Sequence, residues 1–355
     1  MDYRYSSAVD TSVYNTQGLC NGIALRVNKY QQTEDLGAIK AQADWRKYVA
    51  PMGFVKASLG PKYNFLSVAF PETKPDRMEI LAYFNEFIFL HDDEVEAVDK
   101  TKGDKLNDEA VMICRGKFAT EPTDPVKATG REFMISKVAR EMMQIDPGPA
   151  TTALTLWAEW FEKGAGRRNH TRFSTLEEYL EYRILDVGKM YLTGVAIFAM
   201  GLVLEEHEQE ALTRLCRPAW VALGLTNDLF SMEKERKAAD VIGESHICNA
   251  LWVMMQEHSI DECDAKLLCR QKIKESTREY TETVRLTKHE LPSLHQRVFA
   301  EAVQYILSGN VVWTTGAPRY NPGIAYSTHQ LECMVKMGCR DVHVSDEVSD
   351  DRRGS

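Results

Sequence analysis

From Pro75 onward, apolar residues recur at helical spacing almost without a break, which excludes most architectures. Strand signals are weak. The one extended candidate, Tyr63 to Phe70 closed by Pro71, reads equally well as a helix. The spacing predicts one long helix over Asp76 to Val98 and another over Thr129 to Met143, stopped before Pro147-Gly148-Pro149. Further helices are predicted over Thr151 to Lys163, from Ser174 past Tyr191, and over Glu208 to Ala239. The last three fall at Glu244 to His258, Asp261 to His289 and Leu294 to Thr315. Ser174-Thr175-Leu176-Glu177 has the form of a capping box. Some ten helices, with no strand–helix alternation and no internal repeat, define an all-α single domain. Residues 1–340 form that domain in this reading, and the polar, acidic stretch 341–355 is a disordered tail or the stub of a linker.

The charge balance narrows the partners. A net charge of −9 argues against nucleic acid or an anionic membrane surface. No run of about 18 apolar residues suggests a membrane span. The stretch Val195 to Leu204 reads as a buried helix. Eight cysteines without CxxC spacing read as free thiols of a reducing, cytoplasmic compartment, and Met1-Asp2-Tyr3-Arg4 lacks the order of a signal peptide.

Two acidic clusters remain to be explained. The first, His91-Asp92-Asp93-Glu94-Val95-Glu96, ends the apolar run Ile80 to Leu90. Asp92 and Glu96 share a helix face, and Asp93 lies about 100° around it, still within reach of an ion beside Asp92. Close carboxylates repel, so they make poor neighbours without a cation between them. At the C-terminal end of a helix they also oppose its dipole. A solvated acidic helix end is the alternative, although the phenylalanines leading into it fit that badly. His91 reads as a packed residue, or one that supports the ligands from behind, rather than a ligand.

The second cluster runs from Asn227 to Glu235. Asn227, Ser231 and Glu235 are spaced four and four, one stripe about 12 Å long. Each offers one hard oxygen, and Lys234 beside them can reach an anion. Upstream on the same stripe stand Trp220, Leu223 and Gly224. Oxygens at one end and apolar bulk at the other suit a ligand with an anionic head and a greasy tail; an ordinary exposed face is the alternative. Hard oxygens at this spacing suit Mg²⁺, and Mg²⁺ held by few protein oxygens serves a phosphate-bearing substrate. The ion would bridge an acidic protein and an anionic ligand.

Together the clusters resemble the aspartate-rich motif and the Asn/Ser/Glu triad of class I terpene cyclases, in the same order and 135 positions apart. Arg183, followed by Asp186, Val187 and Gly188, resembles that family's diphosphate-sensing arginine with its linker and effector positions on a broken helix. Arg319-Tyr320 resembles its terminal diphosphate-contacting pair. The likeness is nearer still to the N-terminal cyclase domain of chimeric fungal terpene synthases of the fusicoccadiene synthase type. It is carried by Tyr14, Gly18-Leu19-Cys20, Glu34-Asp35-Leu36-Gly37-Ala38-Ile39, Leu59-Gly60-Pro61, Asn85-Glu86-Phe87 and both clusters, over nearly the whole chain.

The resemblance implies a class I terpenoid synthase bundle around a central apolar cavity. It implies three Mg²⁺ ions. Asp92, with Asp93 or Glu96, would hold two, and Asn227, Ser231 and Glu235 the third. It implies that Arg183, Lys234, Arg319 and Tyr320 bind the diphosphate of a linear prenyl substrate, C20 geranylgeranyl diphosphate before C25, and that a polycyclic hydrocarbon results. Phe65, Phe84, Phe87, Phe89, Trp220 and Trp313 are the candidates for an aromatic wall shielding the cation. Core packing is expected to account for at least two of them. A C-terminal prenyltransferase domain is implied as a partner. Three alternatives stay open: a chain-elongating prenyl diphosphate synthase of the same fold, a metal phosphohydrolase built on His91-Asp92, which needs further His and Asp ligands that the spacing of His170 and His207 does not support, and a non-catalytic helical module.

Overall fold

Proline, glycine and capping side chains set where the helices begin and end. The computed structural model describes residues 1–20, 22–53, 56–116, 128–243 and 245–338. The expected tail at 341–355 lies outside them. A short antiparallel pair, β1 (Ser6–Ala8) and β2 (Arg26–Asn28), aligns Ser6 with Asn28. Helices α1 (Gln31–Tyr48), α2 (Phe65–Ala69), α3 (Pro75–Glu96), α4 (Lys100–Arg115) and α5 (Gly130–Ile145) follow. Next come α6 (Pro147–Lys163), α7 (Leu176–Asp186), α8 (Lys189–Met200), α9 (Glu206–Leu215) and α10 (Arg217–Ile242). The set closes with α11 (Ala250–His258), α12 (Glu262–Thr287), α13 (Leu294–Gly316) and α14 (Thr328–Lys336).

The all-α expectation holds, with corrections at several ends. Pro147 opens α6 instead of merely stopping α5, because proline is tolerated in a first turn whose N–H is unpaired anyway. The segment expected to run unbroken past Tyr191 is two helices, parted at Gly188 with φ +95°. Its cap is Thr175, which accepts from the Glu178 N–H, and not Ser174. The single helix expected over Glu208 to Ala239 is also two, with Pro218 in the first turn of the second. Tyr63 to Phe70 resolves as helix, through α2. Helices α1, α4 and α14 have no counterpart in the sequence reading.

α3 is the hub. It is buried on nearly all sides, which the absence of charged residues at Ile80–Phe84 and Phe87–Leu90 allows. It packs on α1, α5, α4 and α8. α10 lies against α12 and α13, and α6 against α8. One large apolar cluster joins these helices, with a small satellite of Ala38, Ile39, Leu59 and Met334 beneath α14. Gly309 lets α13 approach α2: a Cβ there would sit 2.4 Å from the Val68 carbonyl oxygen. That close approach brings Phe65 to within 5.1 Å of Trp313, ring centre to ring centre.

Candidate active site

Two helices deliver the acidic clusters to one place. The last turns of α3 carry Asp92, Asp93 and Glu96, and the middle of α10 carries Asn227, Ser231 and Glu235. Lys234 spans the gap: its Nζ lies 3.0 Å from Asp93 and 3.3 Å from Glu96. Arg319, just past α13, donates to both oxygens of Asp93 at 2.9 and 2.8 Å. Arg183, in the last turn of α7, donates to the Asn227 amide oxygen at 2.6 Å, lies 2.7 Å from Asp228 and pairs with Asp186. Asn227 in turn donates to the Tyr320 hydroxyl at 3.3 Å. Residues from four parts of the chain thus close one polar ring.

The ring stands at a pocket of about 740 Å³. Asp92, Asp93, Glu96, Arg183, Asp186, Val187, Gly188, Asn227, Lys234, Glu235 and Tyr320 line it, as do Phe65, Phe89 and Trp313. Ser231 and Arg319 sit just behind the lining. Nε of Arg183 and of Arg319 are buried with no hydrogen-bond partner among the described residues, and the buried Ser231 hydroxyl faces the Glu235 carboxyl.

Three of the six expected wall aromatics are core instead. Phe84 stacks on Trp157 at 4.2 Å, and Phe87 packs on Trp45 and the His91 ring. Helical period explains the correction: Asn85, Ile88, Phe89 and Asp92 form the pocket-facing stripe of α3, and Phe84, Phe87 and His91 form another. Trp220 lies two turns before Asn227, about 10 Å along α10, where it packs among Leu204, Leu212 and Phe299. His91 is fully buried and bonded to Asn107 at 2.8 Å, a packed residue as expected. Burial pushes it down to about 4, so it stays neutral. His170 lines the same pocket as Asp92, and His207 is exposed on α9. Among the described residues neither joins the one group of side chains close enough to hold a metal, Asp92, Asp93 and Glu96, so the phosphohydrolase reading gains no histidine ligand.

Electrostatics follow from the ring. Burial opposes charge on Asp93, but Arg319 and Lys234 outweigh it and hold the carboxyl down at about 2. Asp92 is pushed up by withdrawal from bulk water and by the Glu96 charge. Burial, then the charges of Asp228 and Glu96, push Glu235 up to about 7. One oxygen each of Asp92, Asp93 and Glu96 fall within 4.8 Å of one another. A hard divalent cation fits this donor set, because it relieves the repulsion among the three carboxylates.

Sequence reading missed the groups behind the ring. Asp228 is fully buried and accepts from the Tyr179 hydroxyl and the Ala250 N–H, at 2.7 and 2.9 Å, while facing Arg183. Asn249 donates to Glu235 at 2.8 Å and fixes that side chain. Its only sequence signal is an Asn at the start of a helix. Gly224 was noted, but its use was not: it lets Arg183 pass, since a Cβ there would lie 3.1 Å from the Arg183 Cγ.

Comparison with known proteins agrees with this geometry. A family model described as "Terpene synthase family 2, C-terminal metal binding" matches residues 83–279, a span that holds both acidic clusters. Among solved structures, aristolochene synthase from Penicillium roqueforti superposes with a TM-score of 0.62 at 23% identity, covering 79% of this chain and 95% of that one. Fold and site together define a class I terpene synthase that uses a divalent metal. The chain belongs to terpene synthase family 2. Fusicoccadiene synthase of Phomopsis amygdali is 42% identical over 340 residues, 94% of this chain and 47% of that protein. A "bifunctional type I diterpene synthase" of Aspergillus flavipes is 40% identical, covering 94% and 44%. A "bifunctional sesterterpene synthase" of Aspergillus aculeatus is 34% identical, covering 94% and 47%. The chain spans about half the length of these relatives. Among the described residues, no helix is long and apolar enough to cross a membrane.

Proposed function

We propose that residues 1–340 form a cyclase domain that turns a linear prenyl diphosphate into a polycyclic hydrocarbon and releases diphosphate. The observation that carries this is the Lys234 bridge, which joins the two acidic clusters at the mouth of a pocket with an aromatic wall. C20 geranylgeranyl diphosphate is the favoured substrate and C25 the second, in keeping with relatives named as diterpene and sesterterpene synthases.

Asp92, with Asp93 or Glu96, would hold two Mg²⁺, and Asn227, Ser231 and Glu235 a third. Bound there, Mg²⁺ supplies Lewis acidity that makes diphosphate a good leaving group. The chain's own cations do the rest. Arg183, Lys234 and Arg319, now paired with carboxylates, exchange those partners for diphosphate oxygens, and the spare Nε groups of the two arginines add donors. The Tyr320 hydroxyl donates beside them. Charge developing on the leaving group is met by donors already in place. The allylic cation left behind faces Phe65, Phe89 and Trp313, whose ring faces each stabilise it by about 0.5–2 kcal/mol. Asp186, Val187 and Gly188 couple Arg183 to the helix break at the pocket edge. A C-terminal prenyltransferase domain would supply the substrate in the longer protein, in a reducing cytoplasm that keeps the cysteines free.

The test is to offer C10 to C25 prenyl diphosphates with Mg²⁺, measure diphosphate release and identify volatile products by mass spectrometry. The reading expects hydrocarbons from C20 or C25 and none after chelation. Longer diphosphates in place of hydrocarbons would mean chain elongation and sink it.

A further inference from the structure

α3 carries a fully buried carboxylate that does not line the pocket. Glu86 is wholly buried, one residue past the pocket-lining Asn85, and faces α1 and the turn before α2. Its Oε1 accepts from Gln42 Nε2 at 2.5 Å. Its Oε2 accepts from the Ser58 backbone N–H at 3.0 Å and from the Ser58 hydroxyl. A buried carboxylate is tolerated only when its oxygens are satisfied, and three donors satisfy this one. A well-packed apolar side chain would fill the same space without that desolvation, so what the carboxylate adds is orientation.

Ser58 passes the constraint on. Its carbonyl accepts from the Trp313 indole N–H at 2.8 Å. Trp313 lines the pocket, edge-on to Phe65 and to Tyr320, with ring centres 5.1 and 5.6 Å away. The torsion next to an aromatic ring is soft, and this hydrogen bond acts with the packing of Phe65, Phe89 and Tyr320 to set which way the indole turns. A ring face is negative and its edge positive. Only the face attracts a cation.

We propose that Glu86 is a positioning residue for product specificity. Through Ser58 it helps fix the angle of Trp313, and so the partition among carbocation fates, without touching the substrate. The inference rests on the cyclase reading above.

Glu86→Gln tests it, because the amide replaces one acceptor with a donor that faces donors. Two readouts are needed. The first is the Trp313 indole N–H resonance of ¹⁵N-labelled protein, assigned by its loss in Trp313→Phe and readable without substrate. The second is the hydrocarbon ratio with total diphosphate release. The expected result is a shifted indole signal and a change of at least about threefold in the ratio of the main products, with total release within about threefold of wild type. An unmoved indole signal overturns the proposal, as does a moved signal with an unchanged ratio. If Glu86→Gln does not fold, Ser58→Ala carries the same test: it keeps both peptide groups and loses the hydroxyl. The same changes at smaller size are expected, and an unmoved signal or ratio again overturns it. A wild-type protein that releases no diphosphate from any C10 to C25 substrate sinks the cyclase reading and the product half of the proposal, while the indole signal still decides whether Glu86 holds Trp313.

Discussion

Asp93 accepts from two cations at once, and this shapes what single substitutions should do. Its folded pKa is depressed, so it contributes stability that is present above about 4 and is lost as pH falls toward about 2. In metal-free buffer, the urea-midpoint difference between wild type and Asp93→Asn should therefore narrow as pH falls from 4 to 2. A difference that stays constant would mean that Arg319 and Lys234 do not hold that carboxylate. Asp92→Ala, or Asn227→Ala with Ser231→Ala, should lower diphosphate release at least about a hundredfold while the helical circular dichroism stays intact. Retained turnover would refute the metal assignment. Burial pushes the thiols of Cys20, Cys114 and Cys216 up to about 12, whereas Cys263 is exposed. A maleimide should label Cys263 in the native protein and those three only after unfolding. The candidate ligand residues could be picked out in the sequence because helical periodicity is local: residues four apart must share a face. The wall was not, since a run such as Phe84 to Phe89 gives no hint of which stripe meets the pocket until α1 and α6 claim the other.

The break between α7 and α8 shows what an element adds. Gly188 sits in the left-handed region, and Arg183, Asp186 and Gly188 all hang on that turn. The Asp186 carboxylate ties the break to the preceding loop, accepting from the Gly166 N–H at 2.8 Å and from the Tyr182 hydroxyl at 2.7 Å. Gly188→Ala should cost about 1–2 kcal/mol in urea unfolding, because a Cβ resists that conformation. It should also lower turnover by shifting Arg183. An unchanged unfolding midpoint with unchanged turnover would show that the break does not need glycine. This break was legible only through family resemblance; periodicity alone carried one helix straight through it. α1 was missed for a different reason. Its buried face is made of Glu34, Asp35, Gly37, Ala38, Ile39, Ala41, Gln42 and Trp45, a mixture of small and polar residues with no greasy stripe to detect. Those polar groups find partners only in the fold: Glu34 caps α2 by accepting from the Leu66 and Ser67 N–H groups at 2.8 Å each.

At the scale of the whole molecule, the acidic surplus and an anionic ligand are reconciled at one place. Acidic residues on α3 and α10 face each other, and cations from α7, α10 and the segment after α13 stand between them. The net charge of −9 misled nothing, because the two clusters already implied a bridging ion. The all-α class followed from pattern alone; the helix count did not, since α1, α4 and α14 went unseen and two expected helices are each broken in two. That α3 and α10 face each other across the pocket was implied only by the resemblance: Lys234 reaches Asp93 across 141 positions, and no local signal encodes that. The central claim is that both clusters grip one diphosphate through shared ions. Crystals grown with inorganic diphosphate and Mn²⁺, used for its anomalous signal in place of Mg²⁺, test it directly. The account predicts metal peaks on Asp92 and on Asn227, Ser231 and Glu235, with a single diphosphate between them that contacts Arg183, Lys234 and Arg319. Metal on one cluster alone, with diphosphate elsewhere or absent, would contradict it.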